Sequence, residues 1–170
     1  MNTSIQADAE SMEQTAGANQ YLTFILGTEE YGIDILKVQE IRSWEPVTHI
    51  PNTPDYVLGI VNLRGTVVPV IDLRLRFNMD REEYGATTIV VVVKIEHEGK
   101  IRVVGMVADA VSEVYYVKEE DIRPTPDIGS DISIDFIKGL ATVEDKLIIL
   151  LEIDVLVNSG ILEDVSSKTN

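Results

Sequence analysis

Apolar residues along this chain recur mostly at period two, the spacing of a strand with one covered face. "YLTFILG" at 21–27 alternates and then meets a turn signal at Gly27-Thr28. "EEYGIDI" at 29–35 follows as a second strand. "DILKVQEI" at 34–41 fits either one helical turn capped by Asp34 or a continued, bulged strand. "HIPNTPDY" is a proline-broken connection. Residues 57–63 and 66–71 read as two strands joined at Arg64-Gly65. Asp72 then caps a short helix, "LRLRF", in which Leu73 and Phe77 share a face. "TTIVVVVKIEHEGKIRVVGMVAD" at 87–109 is a hairpin turning at Glu98-Gly99, and "DKLIILLEI" at 145–153 is a later buried strand. Residues 1–19 and 158–170 carry no such pattern and read as disordered tails.

The strand pattern repeats. Gly32 to Ile41 has a gapless counterpart in Gly105 to Val114: glycine, apolar residues, a valine, then a glutamate and an apolar residue. "VLGIVNLRGTVVPVIDL" at 57–73 aligns without gaps to "IKGLATVEDKLIILLEI" at 137–153, so that Gly59 falls on Gly139 and Asp72-Leu73 on Glu152-Ile153. "IPNTP" at 50–54 matches "IRPTP" at 122–126 between these blocks. The chain therefore reads as two half-domains of about 20–85 and 86–157, each with about five short strands. All-β units of that size close into small barrels, which removes exposed sheet edges. Each is marginal alone, so the halves should share one hydrophobic core, and a cleft between them is the natural place for a ligand or peptide.

Charge narrows the partners. With 29 acidic and 14 basic residues the formal net charge is -15, which disfavours nucleic acid and anionic lipid and favours partners with basic patches. There is no cysteine, so disulfides, thiol catalysis and cysteine metal sites are excluded. The amino-terminal stretch has neither a basic nor an apolar region of a signal peptide, and the chain is expected to be cytoplasmic.

A search for catalytic chemistry finds little. The two histidines, His49 and His97, lie far apart and have no metal-ligand spacing. The nucleotide-binding glycine motifs and the GxSxG elbow are absent. A Ser/His/Asp triad needs no adjacency in sequence, so a cleft hydrolase stays a competing reading with nothing to support it.

What remains is a binding module, and the repeat shows where its two halves part. Arg64-Gly65 stands where the second half has Glu144-Asp145. Gly65 has a turn explanation, but Glu144-Asp145 makes the equivalent turn without glycine. Arg64 is either a solvated turn charge or an anchor whose guanidinium forks onto a partner's carboxylate or carbonyls. Ile35 and Val38 are either core or the apolar lip of the cleft. Trp44, the single tryptophan, is either half-buried or an exposed contact.

Four segments in order, "EEYGIDILKVQEI", "NLRGTVVPVIDLR", "VVGMVADAVSEV" and "IRPTP", resemble the CheW-type coupling proteins of bacterial chemotaxis, over about residues 20–157. The resemblance implies a mainly β fold of two five-stranded, SH3-like barrels sharing a hydrophobic core, with short helices. It implies an adaptor without catalysis, cofactor or metal. Its partners would be the regulatory domain of the CheA histidine kinase and the cytoplasmic tip of methyl-accepting chemoreceptors, so the chain would be recruited to membrane-associated receptor arrays. Carried over by the resemblance, Ile35, Val38, Glu40 and Arg64 lie at or near the receptor-binding groove, with Gly105 and Val111 on its second-half side. Thr48 faces the kinase on one surface, and Arg123 and Ile128 face it on another. A coupling paralogue serving a different array, such as one for surface motility, is the alternative within the same class.

Overall fold

The computed structural model describes residues 17–126 and 134–159. The first half contributes β1 (Ala18–Leu26), β2 (Glu29–Asp34), a 3-10 turn (Ile35–Lys37), β3 (Val38–Ser43), β4 (Val57–Leu63), β5 (Thr66–Asp72) and helix α1 (Leu73–Arg76). The second contributes β6 (Ile89–His97), β7 (Lys100–Ala108), β8 (Ala110–Lys118), β9 (Ile137–Val143), β10 (Lys146–Leu151) and helix α2 (Ile153–Val157). β1 begins inside the stretch expected to be tail, because Ala18 and Asn19 pair with Lys118 and Val117. Asn158, also expected in a tail, donates from its side chain to the Glu96 carbonyl.

These strands form two five-stranded sheets, in the orders β3-β6-β7-β5-β4 and β8-β1-β2-β10-β9. Counting each half from its own first strand, the two orders are identical, so the sequence repeat is a structural one. The sheets do not coincide with the halves, however. β1 and β2 join the sheet made mostly by the second half, and β6 and β7 join the other. The boundary expected near residue 85 therefore divides the repeats but not the barrels. The exchange runs through two parallel pairs, β5 with β7 and β2 with β10. We call the sheet containing β3 to β5 barrel 1 and the sheet containing β8 to β10 barrel 2.

Each sheet closes on itself by a backbone bridge beyond its edge strands. Thr48 and Ile60 exchange N–H···O bonds of 2.9 and 2.8 Å, and Arg123 and Leu140 exchange two of 2.8 Å. Ile60 and Leu140 are counterparts in the repeat, so Thr48 and Arg123 are counterparts too. That sets the "IPNTP" and "IRPTP" match out of register: the shared residues reflect two proline-broken loops, not equivalent positions. The seams need glycine. A Cβ on Gly59 would stand 2.1 Å from the Thr48 carbonyl oxygen, and one on Gly139 would stand 2.7 Å from that of Arg123.

Period two explains the core. Leu22, Phe24 and Leu26 of β1, Ile89, Val91, Val93 and Ile95 of β6, and Val104 and Met106 of β7 all enter one cluster between the barrels. Residues of opposite parity, Val90 and Val92 of β6 among them, fill barrel 1, while Tyr21, Ile148 and Leu150 fill barrel 2. β6 is covered on both faces, which is why "IVVVV" is continuous rather than alternating. Gly32 and Gly105 leave room for side chains of the neighbouring strand, β10 and β6 respectively. A Cβ there would meet Leu150 Cδ2 at 2.9 Å and Val90 Cγ1 at 2.8 Å, respectively. Trp44 is half-buried against the barrel 1 cluster, its ring centroid 4.2 Å from that of Tyr84.

Both local readings of "DILKVQEI" hold in succession. Asp34 Oδ1 accepts from the Leu36 N–H at 2.9 Å to cap the 3-10 turn, and β3 then carries a bulge between Val38 and Glu40. Asp72 caps α1, accepting from Arg74 N at 2.9 Å, and Leu73 and Phe77 are both buried on the shared core.

Candidate functional site

The Arg64-Gly65 turn is a two-residue hairpin connection in which both central residues have positive φ, 50° and 88°. That is the primed geometry favoured by the right-handed twist of a strand pair. Asn62 Oδ1 accepts from the Gly65 N–H at 2.8 Å and holds the turn. Arginine is a poor residue for such a backbone, which costs a non-glycine residue about 1–2 kcal/mol. Its side chain is 69% exposed and reaches across the barrel 1 seam to Glu40, with Nη2 2.9 Å from Oε2. The other Glu40 oxygen lies 3.7 Å from the Arg42 guanidinium. The end strands of the sheet, β3 and β4, are thereby linked by a charge pair as well as by the Thr48 bridge.

Beside this pair runs the 3-10 turn, which packs against β1 of barrel 2 and β6 of barrel 1. It therefore sits at the junction of the barrels. Ile35 is half-buried there, and Val38 packs partly against the shared core, so both have an apolar lip exposed at that junction. The structure thus brings together Ile35, Val38, Glu40 and Arg64 along one continuous segment and the turn that leans on it. The space between the barrels is filled by the shared cluster, so this site is a surface at the junction, not a deep cleft.

The other expected residues fall elsewhere. Gly105 is buried inside barrel 1 beside Val90 of the neighbouring strand, a packing position shared with Gly32, and it lines a small pocket with Arg42 and Glu45. Val111, 44% exposed on β8, is the repeat counterpart of Val38 and belongs to barrel 2. Thr48 and Arg123 are exposed at the two seams, equivalent positions of the two barrels. Ile128 lies outside the described residues. Two further exposed apolar residues went unremarked in the sequence, Ile41 of β3 and Val67 of β5. Their signal was available: each is apolar on the outward parity of its strand, and each has an exposed counterpart in the repeat, Val114 and Leu147.

Among the described residues no group of three His, Asp or Glu side chains could hold a metal ion, and no helix is long and apolar enough to cross a membrane. The arrangement offers shape, one exposed guanidinium and apolar flanks, which suit protein recognition.

Comparison with known proteins agrees with this geometry. The family model for the CheW-like domain matches residues 20–160. The chemotaxis protein CheW of Klebsiella aerogenes is 44% identical over 146 residues, covering 86% of this chain and 85% of that protein. The chemotaxis protein CheW of Rhizobium meliloti is 40% identical over 140 residues, 82% of this chain and 88% of that one. Among solved structures, the scaffolding protein TtCheW from Thermoanaerobacter tengcongensis superposes with a TM-score of 0.74 at 35% identity, covering 83% of this chain and 88% of that one.

Proposed function

This chain belongs to the CheW family of chemotaxis scaffolds, which are not enzymes, and from that premise we propose that it couples methyl-accepting chemoreceptors to the CheA histidine kinase. The observation that supports this reading best is the exposed Arg64 guanidinium, oriented by Glu40 beside the apolar residues of the barrel junction. A receptor tip would dock on Ile35, Val38, Glu40 and Arg64, with Val111 contributing from barrel 2. The guanidinium would exchange Glu40 for, or share it with, a carboxylate or carbonyl of the partner. Thr48 and Arg123 stand at equivalent seams of the two barrels, which suits a chain that meets the kinase through two different surfaces. The protein would act in the cytoplasm, recruited to receptors in the membrane.

A scaffold transmits a signal only if receptor states bind it, or bind the kinase through it, with different free energies. The test is reconstitution of receptor, kinase and this chain. Adding the chain should bring kinase autophosphorylation under control of the receptor's ligand. Kinase activity that ignores the ligand, with both partners bound, would refute the coupling role.

A further inference from the structure

Barrel 2 holds a polar group where barrel 1 has none. Glu30 lies two residues before Gly32, and its counterpart two residues before Gly105 is Val103. Glu30 is only 7% exposed. Its Oε1 accepts from the Ser112 hydroxyl and stands 3.3 Å from the Thr23 hydroxyl, which also has the Glu113 carbonyl at 2.9 Å. Its Oε2 is buried with no hydrogen-bond partner. A buried carboxylate oxygen left unpaired is expensive, by more than a neutral group would be. Glu30 lines the open mouth of barrel 2 together with Ile25, Thr28, Ser112, Lys146 and Leu147. Lys146 is the cation of that mouth, and among the described residues it forms no ion pair with Glu30 or Glu113.

The contrast with barrel 1 identifies what is missing. At the corresponding end of barrel 1, Glu40 of β3 also has one oxygen without a hydrogen bond, but its other oxygen is met by the chain's own Arg64 and Arg42 lies 3.7 Å from the first. The counterpart of Glu40 is Glu113, and the counterpart of Arg64 is Glu144, so barrel 2 supplies no cation at the same place. Its turn is acidic and its interior carboxylate has a free acceptor. The charge of Glu30 is also felt inside the barrel, where burial and then the Glu30 carboxylate push the Tyr115 hydroxyl above its ordinary pKa.

We propose that the mouth of barrel 2 is a binding site for the guanidinium of an arginine side chain on a partner protein, with the Glu30 carboxylate as its acceptor. Arginine suits a nearly buried acceptor better than lysine, because its guanidinium is always charged and more weakly hydrated than an ammonium. The net charge of -15 steers basic protein surfaces toward it. The inference stands apart from receptor coupling, because the mouth is formed by β1, β2, β8 and β10 and includes none of the residues assigned to the receptor or the kinase.

The experiment is an NMR titration of the full chain with N-acetyl-arginine methylamide, against the neutral N-acetyl-citrulline methylamide. The arginine compound should shift the amides of Thr28, Glu30, Ser112, Lys146 and Leu147 saturably in the millimolar range, and the citrulline compound should not. Glu30→Gln, an isosteric change, should raise the half-saturation concentration at least tenfold. Lys146→Gln, at an exposed position, removes a like charge from the rim and should lower it by about threefold. It decides the matter if Glu30→Gln does not fold. Shifts that fail to saturate, that are equal for the two compounds, or that are unchanged in the variants that fold would overturn the proposal.

Discussion

Barrel 1 and barrel 2 are the same construction built from opposite halves of the chain, and comparing them separates what the fold needs from what it merely permits. Present in both are the seam glycines Gly59 and Gly139, the interior glycines Gly32 and Gly105, and the primed two-residue turns. Both also clamp a short helix to the connection after the strand that lies parallel to its own. In one clamp Arg74 of α1 bonds Asp109, with Nε 2.7 Å from Oδ1. In the other, Asp154 of α2 bonds Lys37 at 2.8 Å, so the clamp persists while its charges are reversed. Absent from the pattern are Arg64, Glu30 and the Thr48–Arg123 pair of counterparts, which differ in charge between barrels. Features built the same way in both barrels are scaffold; the charges of Arg64, Glu30 and Arg123 mark where the two barrels differ.

The hardest break in this symmetry is at the seams. Gly59→Ala should cost about 3 kcal/mol or more, since its Cβ meets a backbone oxygen that cannot move without opening the Thr48 bridge. Gly139→Ala should cost less, because its nearest obstacle at 2.4 Å is the Ile122 Cγ2 methyl, although the Arg123 carbonyl also stands close. Denaturant unfolding of the two variants gives the order. Equal losses would mean that the two seams bear the same strain.

How much of this was legible in sequence follows from the kind of pattern involved. The repeat of 57–73 at 137–153 located strands and turns to within a residue or two, because parity is fixed wherever one face is buried, whereas β1 starts three residues before its alternation begins. The exchange of β1 and β2 into barrel 2 was not legible. Pairing partners leave no local signature, and a strand covered on both faces reads the same in either sheet. For the site, Arg64 stood out by failing to repeat. Gly105 repeats with Gly32, and both are buried inside their barrels. Glu30 was hidden in "EEYG", where its neighbour Glu29 is exposed and only parity distinguishes the two.

The clamps differ in sign, and that difference can be titrated. Burial alone would raise the Asp109 carboxyl, but the Arg74 hydrogen bond, the Gly27 N–H and the Arg74 charge outweigh it and hold the group below its ordinary value. A depressed folded pKa stabilises fully above the unfolded value and is lost as pH falls through the folded one. The clamp's contribution should therefore fade below about pH 4. Asp109→Asn should cost about 1.5–3 kcal/mol at neutral pH and flatten the acid limb of a stability profile. An acid limb as steep as that of the parent would assign the proton uptake to other carboxylates.

Arg64→Ala should weaken receptor engagement by about 1–3 kcal/mol and leave unfolding unchanged. The sharper variant is Arg64→Asn, which suits the left-handed backbone better than arginine does and removes the guanidinium. It should bind receptor as poorly as alanine and be no less stable than the parent. Pull-down with receptor and thermal melting measure the two sides, and loss of melting temperature in step with loss of binding would return Arg64 to the scaffold.

The smallest effect tests whether Glu144-Asp145 is held by function or tolerated. Both residues have left-handed backbone, φ 52° and 63°, where the barrel 1 turn needs only one non-glycine residue to do so. Asp145→Gly should therefore stabilise the chain by about 0.5–1 kcal/mol, the unfavourable backbone being relieved at modest entropic cost in the unfolded state. A gain of that size, read as a shift in denaturant midpoint at constant slope, would leave the acidic turn carrying strain that the fold does not require. Barrel 2 would then keep at this turn, as barrel 1 keeps at Arg64, a charge chosen against the preference of its own backbone. No gain would make aspartate an adequate turn residue there, and the likeness between the two turns would be one of geometry alone.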